Sequence, residues 1–169
     1  MMQEQQLQQA FEQIIGLPLT RTTRTELIEY FHFGNAHYTT PQGLVLDVGA
    51  FTLAVNCPWQ LQQPGGETIE HKEVFMRKRE AGLPTPGWNW KIPGDNLRDQ
   101  RLKEFIHQHG ELLVKSVEST GNYGLILHIG QQIQLIITPD TAKTTEEFWQ
   151  LFSNTAENFR IGAGPAGVV

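Results

Sequence analysis

The chain contains one cysteine and three serines in 169 residues, and it lacks every common catalytic or metal-binding motif that depends on them. Cys57 has no partner for an intrachain disulfide, so a disulfide scaffold is excluded. None of the serines lies in a G-x-S-x-G turn, and there is neither an H-E-x-x-H motif nor a pair of C-x-x-C motifs. We therefore expect no metal and no cofactor.

Long apolar runs and an excess of positive charge are also missing. No stretch approaches the roughly 20 apolar residues of a membrane helix, and the N-terminal MMQEQQLQQAFEQ lacks the basic start and apolar segment of a secretory signal. The formal net charge is −5, which disfavours nucleic-acid binding because phosphates must be neutralised by Lys and Arg. These absences favour a cytoplasmic protein of bacterial type without a membrane or nucleic-acid partner.

The residues that are present suit one globular domain. Hydrophobic residues make up 39% of the chain and charged residues 18%, which is ordinary for a soluble fold with its own core. Apolar residues at helical spacing predict amphipathic helices over 3–15 and 97–109. The segment TEEFWQLF at 145–152 predicts a short third helix. Residues 21–24 read as a polar connection, and residues 68–76 could hold a short edge strand.

Two parts of the chain share a pattern. GLVLDVG at 43–49 matches GLILHIG at 124–130, and each is followed by alternating apolar residues and later by Trp-Gln-Leu. Another aromatic or aliphatic stretch precedes each of them. The combined match predicts two copies of an antiparallel three-strand unit, at 27–63 and 112–151.

The expected fold is therefore α+β, with two related antiparallel three-strand units around one core and about three helices. A single domain would span residues 1–154. Residues 155–169 have little to pack against and are expected to form a flexible tail. The sequence leaves open whether the units form one sheet, a sandwich or a partly closed barrel.

Several short motifs resemble a bacterial family of small proteins that has no assigned function. They are G-L-P-L at 16–19, F-x-F-G at 31–34, P-W-x-L at 58–61 and W-x-L at 149–151. Taken together, the similar stretches cover most of residues 14–152. The resemblance implies one coherent domain, and it implies no activity, ligand or catalytic residue.

Asp47 and His128 are the weak candidates for catalysis. They occupy the same position in the two matched heptapeptides, so a pseudo-twofold relation would place them at equivalent points of the sheet. A carboxylate beside an imidazole in a cleft could perform acid–base chemistry. The simpler interpretation, which we favour, is a polar residue on the solvent side of each strand.

Four tryptophans are the candidates for binding. Trp88 and Trp90 lie in a segment rich in proline and glycine, where aromatic residues serve either recognition or attachment of the loop to the core. Trp59 and Trp149 could line a pocket between the two sheet units.

The function that best fits these features is a protein-binding module, by analogy an immunity or antitoxin-like protein. A small-molecule binder with a pocket between the sheet units is the alternative, and a small enzyme using Asp47 and His128 is the third hypothesis. The sequence leaves open both self-association and the identity of a protein partner.

Overall fold

A computed structural model describes residues 2–78, 88–140, 146–155, 159–165 and 167–168 of the chain. Within these residues the chain forms two α-helices and thirteen strands, which pair in three antiparallel sheets. The α+β class is therefore confirmed, with two α-helices in place of about three. The helices and strands are α1 (Met2–Phe11), β1 (Leu19–Thr25), β2 (Ile28–Phe33), β3 (Ala36–Thr39), β4 (Val45–Val48), β5 (Phe51–Val55), β6 (Trp59–Gln62), β7 (Ile69–Glu70), α2 (Leu97–Gln108), β8 (Val114–Ser119), β9 (Leu125–Ile129), β10 (Ile133–Ile137), β11 (Trp149–Ser153), β12 (Arg160–Gly164) and β13 (Gly167–Val168).

Two larger sheets enclose the core. One has the strand order β1-β2-β5-β11-β12-β13 and the other β7-β6-β10-β9-β8, while β3 and β4 form a separate hairpin. Period-two alternation places one face of each central strand in the interior. The apolar side chains of the two sheets and of both helices meet in a single buried cluster, which includes Phe11, Phe31, Phe33, Leu53, Leu61, Leu102, Phe105, Leu127, Leu135 and Leu151.

The same pairing scheme occurs in both larger sheets. β1 pairs with β2 as β8 pairs with β9, and both pairs have an irregular register near their start, between Leu19 and Arg21 and between Val114 and Ser116. β2 then pairs with β5 as β9 pairs with β10. These registers define corresponding positions in the two sheets.

The two Trp-Gln-Leu strands, β6 and β11, each pair with a strand from the other half of the chain. β6 pairs with β10, and Trp59 lies opposite Ile137. β11 pairs with β5, and Trp149 lies opposite Val55. Each Trp-Gln-Leu strand thus belongs to the sheet that the other half of the chain begins, so backbone hydrogen bonds tie the two halves together. The predicted units keep each segment in its own half, and the duplication as such stays a prediction.

The predicted pairing of residues 43–49 with the strand that follows them is wrong. β4 pairs with β3, whereas β5 pairs with β2. Gly130–Gln132 joins β9 to β10 directly, but the corresponding connection, residues 34–50, contains the whole β3–β4 hairpin. GLVLDVG and GLILHIG resemble each other because both are alternating antiparallel strands, not because they correspond in the fold.

Three further predictions are also wrong. The described part of the predicted helix 145–152 contains β11, whose Trp and Leu alternate into the core instead of following a helical period. The expected flexible tail contains β12 and β13, which extend the six-stranded sheet. Residues 21–24 belong to β1. By contrast, the short edge strand within 68–76 is present as β7.

Candidate functional site

The β3–β4 hairpin, residues 35–48, is an amphipathic arm. A Thr40-Pro41-Gln42-Gly43 turn closes it, with Gly43 at φ +88° and its N–H bonded to the Thr40 carbonyl at 2.9 Å. Proline early in the turn and glycine with positive φ at its end are the residues such turns need. Among the described strands, β3 and β4 pair only with each other.

One face of the arm is apolar and exposed. The register pairs Tyr38 with Leu46 and Ala36 with Val48, and residues directly opposite each other share a face. Leu44, two residues before Leu46, continues the same face. Tyr38, Leu44 and Leu46 are 46%, 64% and 45% exposed. A two-stranded ribbon that leaves its apolar side in water is suited to contact another surface.

The opposite face of the arm carries its charges. His37 Nδ1 lies 2.8 Å from Asp47 Oδ1, and these side chains are 73% and 91% exposed. Val45 shares this face and is 64% exposed. Because both side chains are largely exposed, this contact contributes little to stability. The apolar face therefore has no charged residue within the arm.

Asp47 and His128 are not brought to corresponding positions. Asp47 lies on the arm, while His128 lies on β9 of the five-stranded sheet, opposite Gln134. The position that corresponds to His128 is His32 of β2, because Thr52 opposite His32 matches Gln134 opposite His128. Matching the two heptapeptides within the sequence does not reveal that His32 corresponds to His128, because the inserted arm shifts one half of the chain relative to the other.

His32 belongs to a chain of hydrogen bonds on the outer face of the six-stranded sheet. Asn154 Nδ2 donates to Thr52 Oγ1 at 2.8 Å, and Thr52 Oγ1 lies 3.1 Å from His32 Nδ1. Burial, with the nearby Arg21 charge, lowers the pKa of His32 to about 4. If Thr52 donates its proton to Nδ1, the proton of the neutral ring is on Nε2 and points at Thr23 Oγ1, 2.8 Å away. That arrangement fixes the ring and does not activate Thr23 as a nucleophile.

Trp59 and Trp149 are core residues. They are 3% and 1% exposed. The Trp59 ring packs edge-to-face on Phe31 and the Trp149 ring on Phe11, with ring centroids 5.3 Å and 5.4 Å apart. Trp149 Nε1 also donates to the Tyr123 carbonyl at 2.9 Å. Both rings thus pack as part of the buried core cluster.

Trp88 and Trp90 attach their own loop. Trp88 Nε1 donates to the Asp95 carbonyl, and the Trp90 ring packs against Phe75 with centroids 5.0 Å apart. The Trp90 carbonyl accepts hydrogen bonds from Arg24 and Asn96. Both side chains are half-buried, so these contacts favour attachment over recognition.

A cluster of buried charges holds α2 against the sheets. Asn96 caps the helix by accepting from the Asp99 N–H at 2.8 Å. Asp99 accepts from Arg24 Nε of β1 at 2.8 Å through both carboxylate oxygens. Arg101 pairs with Glu73. No sequence pattern signalled this cluster, because each partner comes from a distant part of the chain.

Glu29 is the most unusual member of the cluster. It is 1% exposed, and its Oε1 lies 3.2 Å from Nη2 of Arg98, which is itself fully buried. Burial raises the pKa of Glu29 to about 8 against the opposing effect of Arg98. Arg98 also faces His71 Nδ1 at 3.2 Å. Since arginine only donates, this nitrogen accepts, and burial with Arg98 lowers the pKa of His71 to about 4.

Within the described residues, no group of three or more His, Cys, Asp or Glu side chains is placed to hold a metal ion. No helix in this part of the chain is long and apolar enough to cross a membrane. No protein-family model matches the chain, and neither the curated proteins nor the solved structures include a detectable relative.

Proposed function

We propose that the protein is a protein-binding module and that the apolar face of the arm is its contact surface. The observation that carries the proposal is the exposure of Tyr38, Leu44 and Leu46 on one side of a hairpin whose strands pair with no other strand in the described part of the chain. The corresponding connection in the other sheet is a tight turn. The arm is therefore an addition that the sheet does not need, which is what a dedicated contact element would be.

The partner is a different protein with an apolar groove bordered by basic residues. An apolar face with three exposed large side chains requires an apolar counterpart, since burying it against polar groups would leave them without hydrogen bonds. The chain has a formal charge of −5, so two copies would repel each other at long range, whereas a basic rim would attract this chain. The biological role that we propose is immunity or antitoxin-like: binding of the arm blocks the partner.

The test uses two variants that change opposite faces of the arm. Leu44→Ser with Leu46→Ser removes apolar contact area from the proposed face, whereas Val45→Ser makes the same kind of change on the other face. A protein captured from the source lysate with the wild type should be lost with the double variant and retained with Val45→Ser. Once the partner is purified, the double variant should bind at least tenfold more weakly, because each buried leucine contributes about 1.5–3 kcal/mol.

Thermal unfolding followed by circular dichroism checks that both variants keep the fold. The proposal fails if the double variant binds the partner as well as the wild type does. It also fails in its choice of partner if sedimentation shows a wild-type dimer that the double variant abolishes, because the arm would then contact a second copy of the chain.

A further inference from the structure

A cavity of about 620 Å³ lies between α2 and the edge strand β1, and no residue of the arm lines it. Thr20, Thr22 and Arg24 of β1 border one side, and Lys103, Ile106 and His107 of α2 border the other; Glu29 and Asp99 also line it. Its volume is in the range of small-molecule sites. A depression of about 780 Å³ beside residues 109–113 is larger, so volume alone does not distinguish the α2–β1 cavity.

The corresponding place in the other sheet shows what is special about this cavity. Val55 and Ile137 are equivalent positions, because each lies opposite the tryptophan of a Trp-Gln-Leu strand. Glu29 lies opposite Val55 and Leu125 lies opposite Ile137, so Glu29 corresponds to Leu125. By the same registers, Thr22 corresponds to Val117. Thus a hydroxyl and a carboxyl stand where the other half of the fold has an apolar pair, and Leu125 is fully buried there. A buried carboxyl in place of leucine costs stability, which argues for a use other than folding.

The charges around the cavity favour a negatively charged ligand. Arg24 and Asp99 neutralise each other through their ion pair. Arg98 lies behind Glu29 and brings a buried positive charge. Lys103 is exposed at the rim of the cavity, and the described residues provide no acidic group in an ion pair with it. Ile106 adds apolar surface to the wall of the cavity.

We propose that the α2–β1 cavity binds a small organic anion with an apolar body, whose anionic head is held by Lys103 and by a hydrogen bond from the Glu29 side chain. The Thr22 side chain is hydrogen-bonded to Glu29 and so positions it. Arg98 and Asp99 on α2 and Arg24 on β1 are the charged groups that act on Glu29. With a pKa of about 8, Glu29 is mostly protonated at neutral pH and can donate a hydrogen bond to an oxygen of the ligand. Binding should therefore weaken as the pH rises through about 8.

The probe is octanoate, compared with octanol and octylammonium in calorimetric titrations at pH 7. Octanoate should bind at least tenfold more tightly than either of them. Lys103→Glu reverses the exposed charge at the rim and should weaken octanoate binding about tenfold or more. Lys115→Glu, which makes the same change beside the larger depression, should leave octanoate binding unaltered.

A second variant tests the role of Glu29. Glu29→Gln keeps the shape of the side chain and its ability to donate, but cannot ionise. Octanoate affinity of the wild type should fall between pH 7 and pH 9, whereas that of Glu29→Gln should stay constant. The proposal is overturned if octanoate does not bind at millimolar concentration, if octanol binds equally well, or if Lys103→Glu has no effect. A wild-type affinity that is independent of pH would remove Glu29 from the site.

Discussion

The Glu29→Gln variant should be stabilised, relative to the wild type, as the pH rises. Below pH 4.5 Glu29 is protonated in both the unfolded and the folded chain, so its favourable contribution is fully present. Between pH 4.5 and about 8 the unfolded chain ionises while the buried carboxyl stays protonated. In this range the chain takes up a proton at Glu29 when it folds, so the free energy of unfolding of the wild type falls as the pH rises. Above about pH 8 both states are ionised and the loss is complete.

The expected size of the effect follows from the two pKa values. At about 1.4 kcal/mol per pH unit, the rise in pKa from 4.5 to about 8 corresponds to about 5 kcal/mol lost by the wild type across the interval. The amide introduced by Glu29→Gln does not titrate, so the variant lacks this slope. His32 and His71, whose pKa values are lowered to about 4, reduce stability as the pH falls below 6.5. Both proteins contain them, so the difference between the proteins isolates Glu29.

The assay is urea unfolding followed by circular dichroism and tryptophan fluorescence at pH 5, 6, 7, 8 and 9. Coincident transitions by the two probes establish the two-state behaviour that the extrapolation requires. Glu104→Gln, at an exposed position on α2, is the control and should show a constant difference from the wild type. A constant difference for Glu29→Gln as well would refute the reasoning, because Glu29 would then remain ionised beside Arg98 throughout.

Two further predictions concern buried groups outside the cavity. Cys57 is 5% exposed, and burial raises the pKa of its thiol to about 12; the native protein should therefore not react with Ellman's reagent at pH 8 until urea unfolds it, and rapid native labelling would contradict this. Asn96→Ala removes the cap of α2, in which the Asn96 side chain accepts from the Asp99 N–H at 2.8 Å. It should lower the free energy of unfolding by about 1–2 kcal/mol, and an unchanged urea midpoint would show that the cap is dispensable.

The sequence predicted individual elements well where the pattern was local. The apolar stripes of α1 and α2 and the alternation in β2, β5, β9 and β10 are properties of a few neighbouring residues. At the Trp-Gln-Leu of β11 the sequence predicts a helix, whereas the structure has a strand. Its alternating burial follows from the strands on either side of it, β5 and β12.

The two candidate sites differ in how far they could be read from the sequence. Thr40-Pro41-Gln42-Gly43 is a turn signal, and it could have shown that residues 36–48 form a hairpin of their own. The apolar alternation of Leu44, Leu46 and Val48 looks the same in a core strand and in an exposed arm. The cavity had no such signal, because Glu29, the second residue of IEYFHF, has the pattern of an ordinary polar position of a strand.

By itself, the sequence determined the fold class, the two α-helices and, for the central strands β2, β5, β9 and β10, the side that turns inward, since periodicity depends only on neighbours along the chain. The tertiary structure decided which strands pair, the exchange of the two Trp-Gln-Leu strands, the exposure of the arm and the burial of Glu29 against Arg98. Pairing and desolvation depend on residues that are far apart in the chain and meet only when it folds. Both proposed sites rest on properties that depend on tertiary structure. The arm has an apolar face that is exposed to water, and Glu29 has a carboxyl group that is buried away from water.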